Sequence, residues 1–352
     1  MTGIGMSDAE LLYNYWYVAA PAGALARGTM KPVTLLGQQV LLLRDNAGVV
    51  SALKDFCPHR GIPLRFGTFD GCEVECCYHG WRFNMAGTCT AIPSLVEEKT
   101  DISKIKTGQL PCREQDGLIW VYVAATGNAE APASEPPAMP IALSGGFKHV
   151  DSVLFPCPID HAVIGLMDPA HGPFVHRAWW WRSARSIHAK AKQFEPVGRG
   201  FKMVAHRPSS NSRAYKILGG ERTTEIEFQL PGLRREHITI GQHHVLLLTA
   251  LTPISTTETV LHQFMYTTIP LLNFLQPLLV HFFGKPFLQQ DLRVVKMQQE
   301  GLKPGHPPLL LMGDADAQAL WYFRLKKEAL SAAAEARPFE NMLKPKLLQW
   351  KS

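Results

Sequence analysis

Two short cysteine–histidine clusters restrict the fold of this chain more than any other feature. "FCPHRG" sets Cys57 two residues before His59, and "CCYHGW" sets Cys76 three residues before His79, with sixteen residues between His59 and Cys76. Thiolates and imidazoles are donors for zinc and iron. Two such pairs on separate loops can meet at one site when the segment between them doubles back, and that segment is short and strand-rich. A zinc site of two cysteines and two histidines is the generic alternative. Against it, Cys-x-His is an awkward finger pair, and no finger helix carries closely spaced histidines.

The pattern resembles that of the Rieske [2Fe–2S] domain, in which Cys-x-His is followed, after a spacer of this length, by Cys-x-x-His. The resemblance implies that Cys57 and Cys76 bind one iron while His59 and His79 bind the other. Neutral imidazoles in place of two thiolates remove negative charge and make the cluster easier to reduce. Pro58, Arg60, Gly61 and "YHGWRF" match the flanking residues as well. Counting back from His79 selects Cys76. Cys77 is expected to be a small buried side chain, and Cys72, Cys89, Cys112 and Cys157 to be structural. Respiratory-complex Rieske proteins have an extra cysteine shortly after each ligand pair. Residues 60–65 and 80–86 contain none, which favours the oxygenase type.

A second constellation follows about ninety residues on. "GLMDPAHGPFVHRAWWW" contains Asp168, His171 and His176. Iron(II) sites that activate dioxygen use two histidines and one carboxylate and leave positions open for oxygen. A lone histidine pair is more often structural, but this one follows a Rieske-like module. With it the chain resembles the Rieske non-heme iron oxygenases over most of its length. That likeness implies that His171 and His176 are iron ligands, and that Asp168 bridges a cluster histidine of a neighbouring subunit to an iron-ligating histidine. The third ligand is expected at Asp291, on a helix with Gln298 seven residues on; Asp314 and Asp316, in "GDAD", are the alternatives. Many family members have asparagine where this chain has Gly165, which leaves the local hydrogen bonding open. His161 is read as structural.

The surrounding text fits an α+β chain. "VTLLGQQVLLLRD", "GVVSALKDF" and "LIWVYVA" read as strands of an N-terminal all-β domain over residues 1–127. Residues 128–140, rich in Pro, Ala and Glu, read as a linker. The remainder, 141–352, combines an antiparallel sheet ("TEIEFQLPG", "EHITIGQHHVLLLTALTP", "TVLHQFMYTTIP") with helices at "PFLQQDLRVVKMQQEG" and "ADAQALWYFRLKKEALSAAAEA". By the resemblance it is a helix-grip-like catalytic domain holding a mononuclear iron(II).

Composition narrows the function. A net charge of +6 over 352 residues is too small for a nucleic-acid binder. Seven cysteines in a chain without a recognisable secretory signal point to metal ligation in a reducing compartment, with cytoplasm as the default. The most apolar window, "IPLLNFLQPLLVHFFGKPFL", is interrupted by three prolines and several polar residues, so no transmembrane segment is expected. Within it Leu271, Phe274, Leu275, Leu278, Leu279, Phe282 and Phe283 form one helical stripe. Core packing is its ordinary role; a lid over the iron, or a surface touching membrane, is the alternative. The "WWW" at 179–181 is ambiguous in the same way, and Arg177 and Arg182 do not form a carboxylate-binding cluster.

The resemblance thus implies a terminal oxygenase that activates O2 and hydroxylates or demethylates a small hydrophobic aromatic or polycyclic substrate. Cis-dihydroxylation and a sterol- or lipid-type oxidation remain open. NAD(P)H would act through a separate reductase, with or without a ferredoxin, because the chain has no glycine-rich dinucleotide fingerprint. The family's assembly is a homotrimer. The rival outside the enzyme class is a Rieske electron carrier whose second domain only docks partners.

Overall fold

In a computed structural model, which describes residues 3–4, 10–96, 100–125, 132, 134–147, 149–176, 187–207, 221–302 and 309–352, the run from Val33 to Asp45 folds back on itself. Leu36 and Gly37 take φ of 52° and 78°, the left-handed pair that a two-residue hairpin requires. The chain divides into two units, Tyr13–Lys148 and Met1–Leu12 with His149–Ser352. Residues 132 and 134–140, within the expected linker, are counted with the first unit.

The first unit is all β. Its strands are β1 (Tyr15–Pro21), β2 (Thr29–Leu35), β3 (Gln38–Arg44), β4 (Val50–Lys54), β5 (Thr68–Phe69), β6 (Glu73–Glu75), β7 (Arg82–Asn84), β8 (Cys89–Ala91), β9 (Gln109–Leu110), β10 (Cys112–Gln115) and β11 (Leu118–Val123). They form sheets of order β9-β4-β3-β2, β10-β11-β1 and β5-β6-β7-β8. Leu41, Leu43 and Leu53 turn to one side and close a core with Leu64, Val74, Phe83, Cys57, Cys76 and Cys89. Burying such side chains contributes about 1.5–3 kcal/mol each. The two ligand loops leave β4 and β6 from this core.

The second unit is built on an antiparallel sheet of eight strands: β12 (His149–Phe155), β13 (Ala189–Val197), β14 (Gly200–His206), β15 (Arg222–Gln229), β16 (Leu233–Ile240), β17 (His243–Pro253), β18 (Thr259–Thr267) and β19 (Lys346–Lys351). Their order is β12-β18-β17-β16-β15-β14-β13-β19, so the C-terminal strand pairs with one from the middle of the chain. The helices are α1 (Ile159–Met167), α2 (Gly172–Val175), α3 (Pro270–Leu279), α4 (Lys285–Gly301) and α5 (Ala317–Ala334). Phe194, Phe201 and Phe228 lie on one face of the sheet, where Trp321 and Tyr322 of α5 meet them at ring separations of 5.2–5.9 Å.

Helix α1 leads into Asp168 and His171, so its anchorage positions the site. Asp160 is buried on α1 and accepts from Lys326 Nζ at 2.6 and 2.8 Å and from Tyr322 Oη at 2.5 Å, both on α5. The next residue, His161, bonds Gln299 of α4 through Nδ1 at 2.8 Å. One turn of α1 is therefore tied to both long helices, which gives His161 the structural role expected of it.

A buried charge left without its partner costs about 3–5 kcal/mol. Lys326→Met is expected to lower the urea midpoint by a corresponding amount, and Asp160→Asn combined with Lys326→Met should recover most of it. A wild-type midpoint in the single variant would show that the pair does not anchor α1.

Candidate metal centres

The two ligand loops of the first unit are built alike. Cys57 N–H donates to the Ile62 carbonyl at 2.8 Å, and Cys76 N–H donates to the Trp81 carbonyl at 2.8 Å, five residues ahead in both cases. Gly61 and Gly80, each four residues after its cysteine, return an N–H to the cysteine carbonyl at 2.8 and 3.0 Å. Their φ values are +75° and +67°, a region that disfavours side chains. A Cβ at Gly61 would come within 3.2 Å of the Phe56 ring, and one at Gly80 within 3.1 Å of Pro93.

These loops bring all four expected residues together. Cys57 and Cys76 are buried in one core cluster, and the His59 and His79 rings lie 4.6 Å apart. Trp81 stacks on His59 at 4.5 Å with ring planes 4° apart, and Tyr78 covers His79 at 3.8 Å. Burial pushes the Cys57 thiol up to about 11, against the lowering effect of the His59 and Arg60 N–H groups. Desolvation, with His79 and Arg60 nearby, holds His59 below the usual histidine value. Both shifts favour the neutral forms of Cys57 and His59, so a thiolate at Cys57 would call for a cation beside it. His79 Nδ1 is buried with no hydrogen-bond partner, an atom that a metal would satisfy.

Cys77 is exposed, not buried as expected, and so is Cys72. The turn that points Cys76 inward sends its neighbour to solvent. Cys89 and Cys157 are buried and Cys112 is partly buried. Burial raises Cys112 and Cys157 to about 12, values of inert thiols.

In the second unit His171 and His176 flank the single helical turn α2. Phe174 and Val175 N–H groups both donate to the His171 carbonyl at 2.9 Å, and His176 N–H donates to Gly172 at 3.0 Å. One turn between the residues brings His171 Nε2 to 3.2 Å from His176 Nε2. Asp291 Oδ1, on α4, lies 3.2 Å from His176 Nε2 and 3.9 Å from His171 Nε2. Among the described residues this is the one group of three potential metal ligands whose donor atoms converge within 4.8 Å. Asp314 does not take part: it binds Lys346 at 2.8 Å and accepts from the Gln349 N–H, which hold its carboxyl below the usual range. Asp316 accepts from the Met312 N–H.

Hydrogen bonds at the far side of each ring fix its orientation. His171 Nδ1 lies 2.8 Å from the Asp168 carbonyl, which can only accept, so that nitrogen carries a proton and Nε2 is the one available to a metal. His176 Nδ1 lies 2.9 Å from Gln290 Oε1. The Phe287 ring stacks on His176 at 3.6 Å. Asp168 Oδ1 accepts from the Ala170 N–H at 2.7 Å, and Oδ2 stands 3.6 Å from His171 Nδ1. His176 is 2% exposed, whereas the side chains of His171 and Asp291 are 28% and 27% exposed. The trio is therefore sealed on one side and open on the other.

Residues 15–111 match the Rieske [2Fe–2S] domain, and residues 160–331 match the vanillate O-demethylase oxygenase C-terminal domain. The chain belongs to the Rieske non-heme iron oxygenases. Members of this family carry a Rieske cluster and a mononuclear iron. The chain is 35% identical to chlorophyllide a oxygenase of Chlamydomonas reinhardtii over 50% of its own length and 26% of that protein. With the Arabidopsis thaliana enzyme of the same name it shares 28% identity over 94% of its length and 60% of that protein. It therefore spans less than two thirds of these curated relatives. NdmA of Pseudomonas putida CBB5 with caffeine has the same fold, with a TM-score of 0.74, 17% identity and coverage of 94% and 95% of the two chains.

Sequence reasoning missed Gln290 and Phe287 of this Rieske oxygenase. Both lie on the Asp291 face of α4, one and four residues before the carboxylate, where helical spacing brings side chains to one imidazole. Arg177, Arg182 and the tryptophans at 179–181 lie outside the described residues.

Proposed function

We propose that this chain is the terminal oxygenase of a Rieske-type system. It would hydroxylate or oxidatively demethylate a small hydrophobic aromatic or polycyclic substrate with O2. The observation that carries this reading is the meeting of His171 Nε2, His176 Nε2 and Asp291 Oδ1 beside an open side. A pure electron carrier has no use for that arrangement. The donor set also fits iron(II), which takes two imidazoles and a carboxylate and keeps positions free.

Cys57 and Cys76 would hold one iron of the cluster, His59 and His79 the other, and His171, His176 and Asp291 the mononuclear iron. When bound, the cluster supplies electrons singly and the mononuclear iron provides the centre for dioxygen activation. The protein's own share is orientation. The Asp168 carbonyl and Gln290 Oε1 hold both Nδ1 protons, so both Nε2 atoms face the metal position. The Asp168 carboxylate is 35% exposed and its Oδ1 accepts from Ala170, which leaves Oδ2 to bond a cluster histidine of a neighbouring copy and supports a homotrimer in which each cluster serves the next subunit's iron. A separate reductase, with or without a ferredoxin, would deliver the electrons. The free cysteines are in keeping with a cytoplasmic setting. Chlorophyllide a, named for the relatives above, is a substrate of the polycyclic class.

The holoenzyme is expected to contain about three irons per chain, about one of them removable by a chelator without bleaching the cluster. His171→Ala should keep the cluster's visible absorption and lose peroxide-driven product formation, read by product mass. A wild-type iron content of about two, with no turnover on aromatic acids, N- and O-methyl compounds or sterols, would leave the electron carrier as the better reading.

Cys76→Ser should lose or strongly alter the cluster's visible and EPR spectra, while exposed Cys77→Ser should leave both unchanged. Gln290→Ala removes the bond that orients His176. It is expected to weaken iron binding by about 10–100-fold in a metal titration followed by intrinsic fluorescence, with little change in thermal midpoint. Unchanged affinity would remove Gln290 from the site.

A further inference from the structure

The apolar stripe before Asp291 is not taken up by the core. Leu271, Phe274, Leu278 and Phe282 are 66%, 81%, 56% and 61% exposed, and their spacing places them along one side of α3 and the turn after it. That turn, Val280–Gly284, is π-helical and follows Pro277 inside α3; proline removes a helical hydrogen bond and loosens the winding there. The inner side of α3 is already satisfied. Leu272 packs with Met265 and Ile269 on Ile238, Ile240 and Val245, and buried Gln276 donates to the Met265 carbonyl. The helix is thus docked by one side and presents a second apolar side outward. A patch of this kind marks an interaction surface.

Charge narrows the partner. No Asp or Glu occurs between Glu258 and Asp291, and Asp291 is turned toward the histidines. The exposed charged side chains of α3, the π turn and α4 are Lys285, Arg293, Lys296 and Glu300, three cations to one acid, with Val294 and Met297 exposed among them. Pairing this face with its copy about a two-fold axis would set cations against cations. Anionic headgroups would neutralise them while the acyl boundary receives the aromatic and leucine side chains. No helix among the described residues is long and apolar enough to cross a membrane, so the contact is with a surface.

We infer that the face formed by α3, the π turn and the outer side of α4 docks on an anionic lipid surface. Phe274, Leu278 and Phe282 enter the headgroup boundary, and Lys285, Arg293 and Lys296 face lipid phosphates. The stripe runs through the π turn into the helix that carries Asp291. Docking therefore brings a bilayer-dissolved apolar substrate to the element that holds the candidate site. The docking itself does not depend on the proposed reaction.

The test is cosedimentation of the full holo chain with vesicles of phosphatidylcholine and phosphatidylglycerol in about equal parts, against phosphatidylcholine alone. The wild type should pellet with the anionic vesicles, and less so at high salt. Phe274→Asp with Leu278→Asp should weaken binding by about tenfold or more, with the cluster absorption and far-UV circular dichroism unchanged. Should that variant fail to fold, Lys285→Glu with Lys296→Glu probes the same face without touching the stripe and should also release the protein. Wild-type protein that ignores both vesicle types, or folded variants that bind as well as wild type, would overturn the inference. So would a wild-type oligomer that the aspartates dissociate in light scattering while vesicles bind neither protein, since the face would then be a contact between copies.

Discussion

The constraint on which the second unit depends is that three bare acceptors point at one small volume. His171 and His176 each have Nδ1 beside a fixed oxygen, the Asp168 carbonyl and Gln290 Oε1. The two Nε2 atoms stand 3.2 Å apart with the Asp291 carboxylate beside them. His176 is the buried member, and a buried acceptor without a donor costs about 1–3 kcal/mol. A metal cation placed among the three would satisfy them all at once.

Their placement comes from elements far apart in sequence. α1 is tied to α5 through Asp160 and Lys326 and to α4 through His161 and Gln299. α4 in turn presents Phe287, Gln290 and Asp291 to His176. α1 thus sets where the histidine turn begins, and α4 sets where the carboxylate stands, with a buried ion pair and an amide–imidazole bond fixing the two relative to each other. The open flank lies at His171 and Asp291, and His176 is sealed by the Phe287 ring. The trio is therefore reachable from one side.

The two loops that carry the candidate cluster residues were readable because their geometry is local. In each loop the cysteine bonds a carbonyl five residues on, and a glycine with positive φ closes the turn. A motif of six residues encodes the turn and the inward Cys76, but not the exposure of Cys77, which was expected inside. The strands of both units were readable for a similar reason, since alternation and turn residues act over a few positions. The order of the large sheet was not. Nothing in "KLLQWK" indicates that β19 will pair with β13, because pairing over such a distance is decided by the packing of everything between. Gln290 and Phe287 escaped notice because a glutamine and a phenylalanine on an amphipathic helix look like any others until the partner imidazole, more than a hundred residues earlier, is in place.

The apolar stripe at 271–283 shows a second limit of periodicity. Spacing of three and four residues says which side chains share a face, and α3 confirms that they do. It does not say whether the face turns inward, since the same pattern serves a core helix and a helix lying on a surface. In α3 the inner side was claimed by Leu272 and Gln276, residues that carry little weight in the pattern, and the larger side chains were left outside. Charge, not hydrophobicity, separates the two cases. The α3 stripe and the π turn carry no acid, since the chain has none between Glu258 and Asp291, and on the outer side of α4 the cations outnumber the one exposed acid, Glu300.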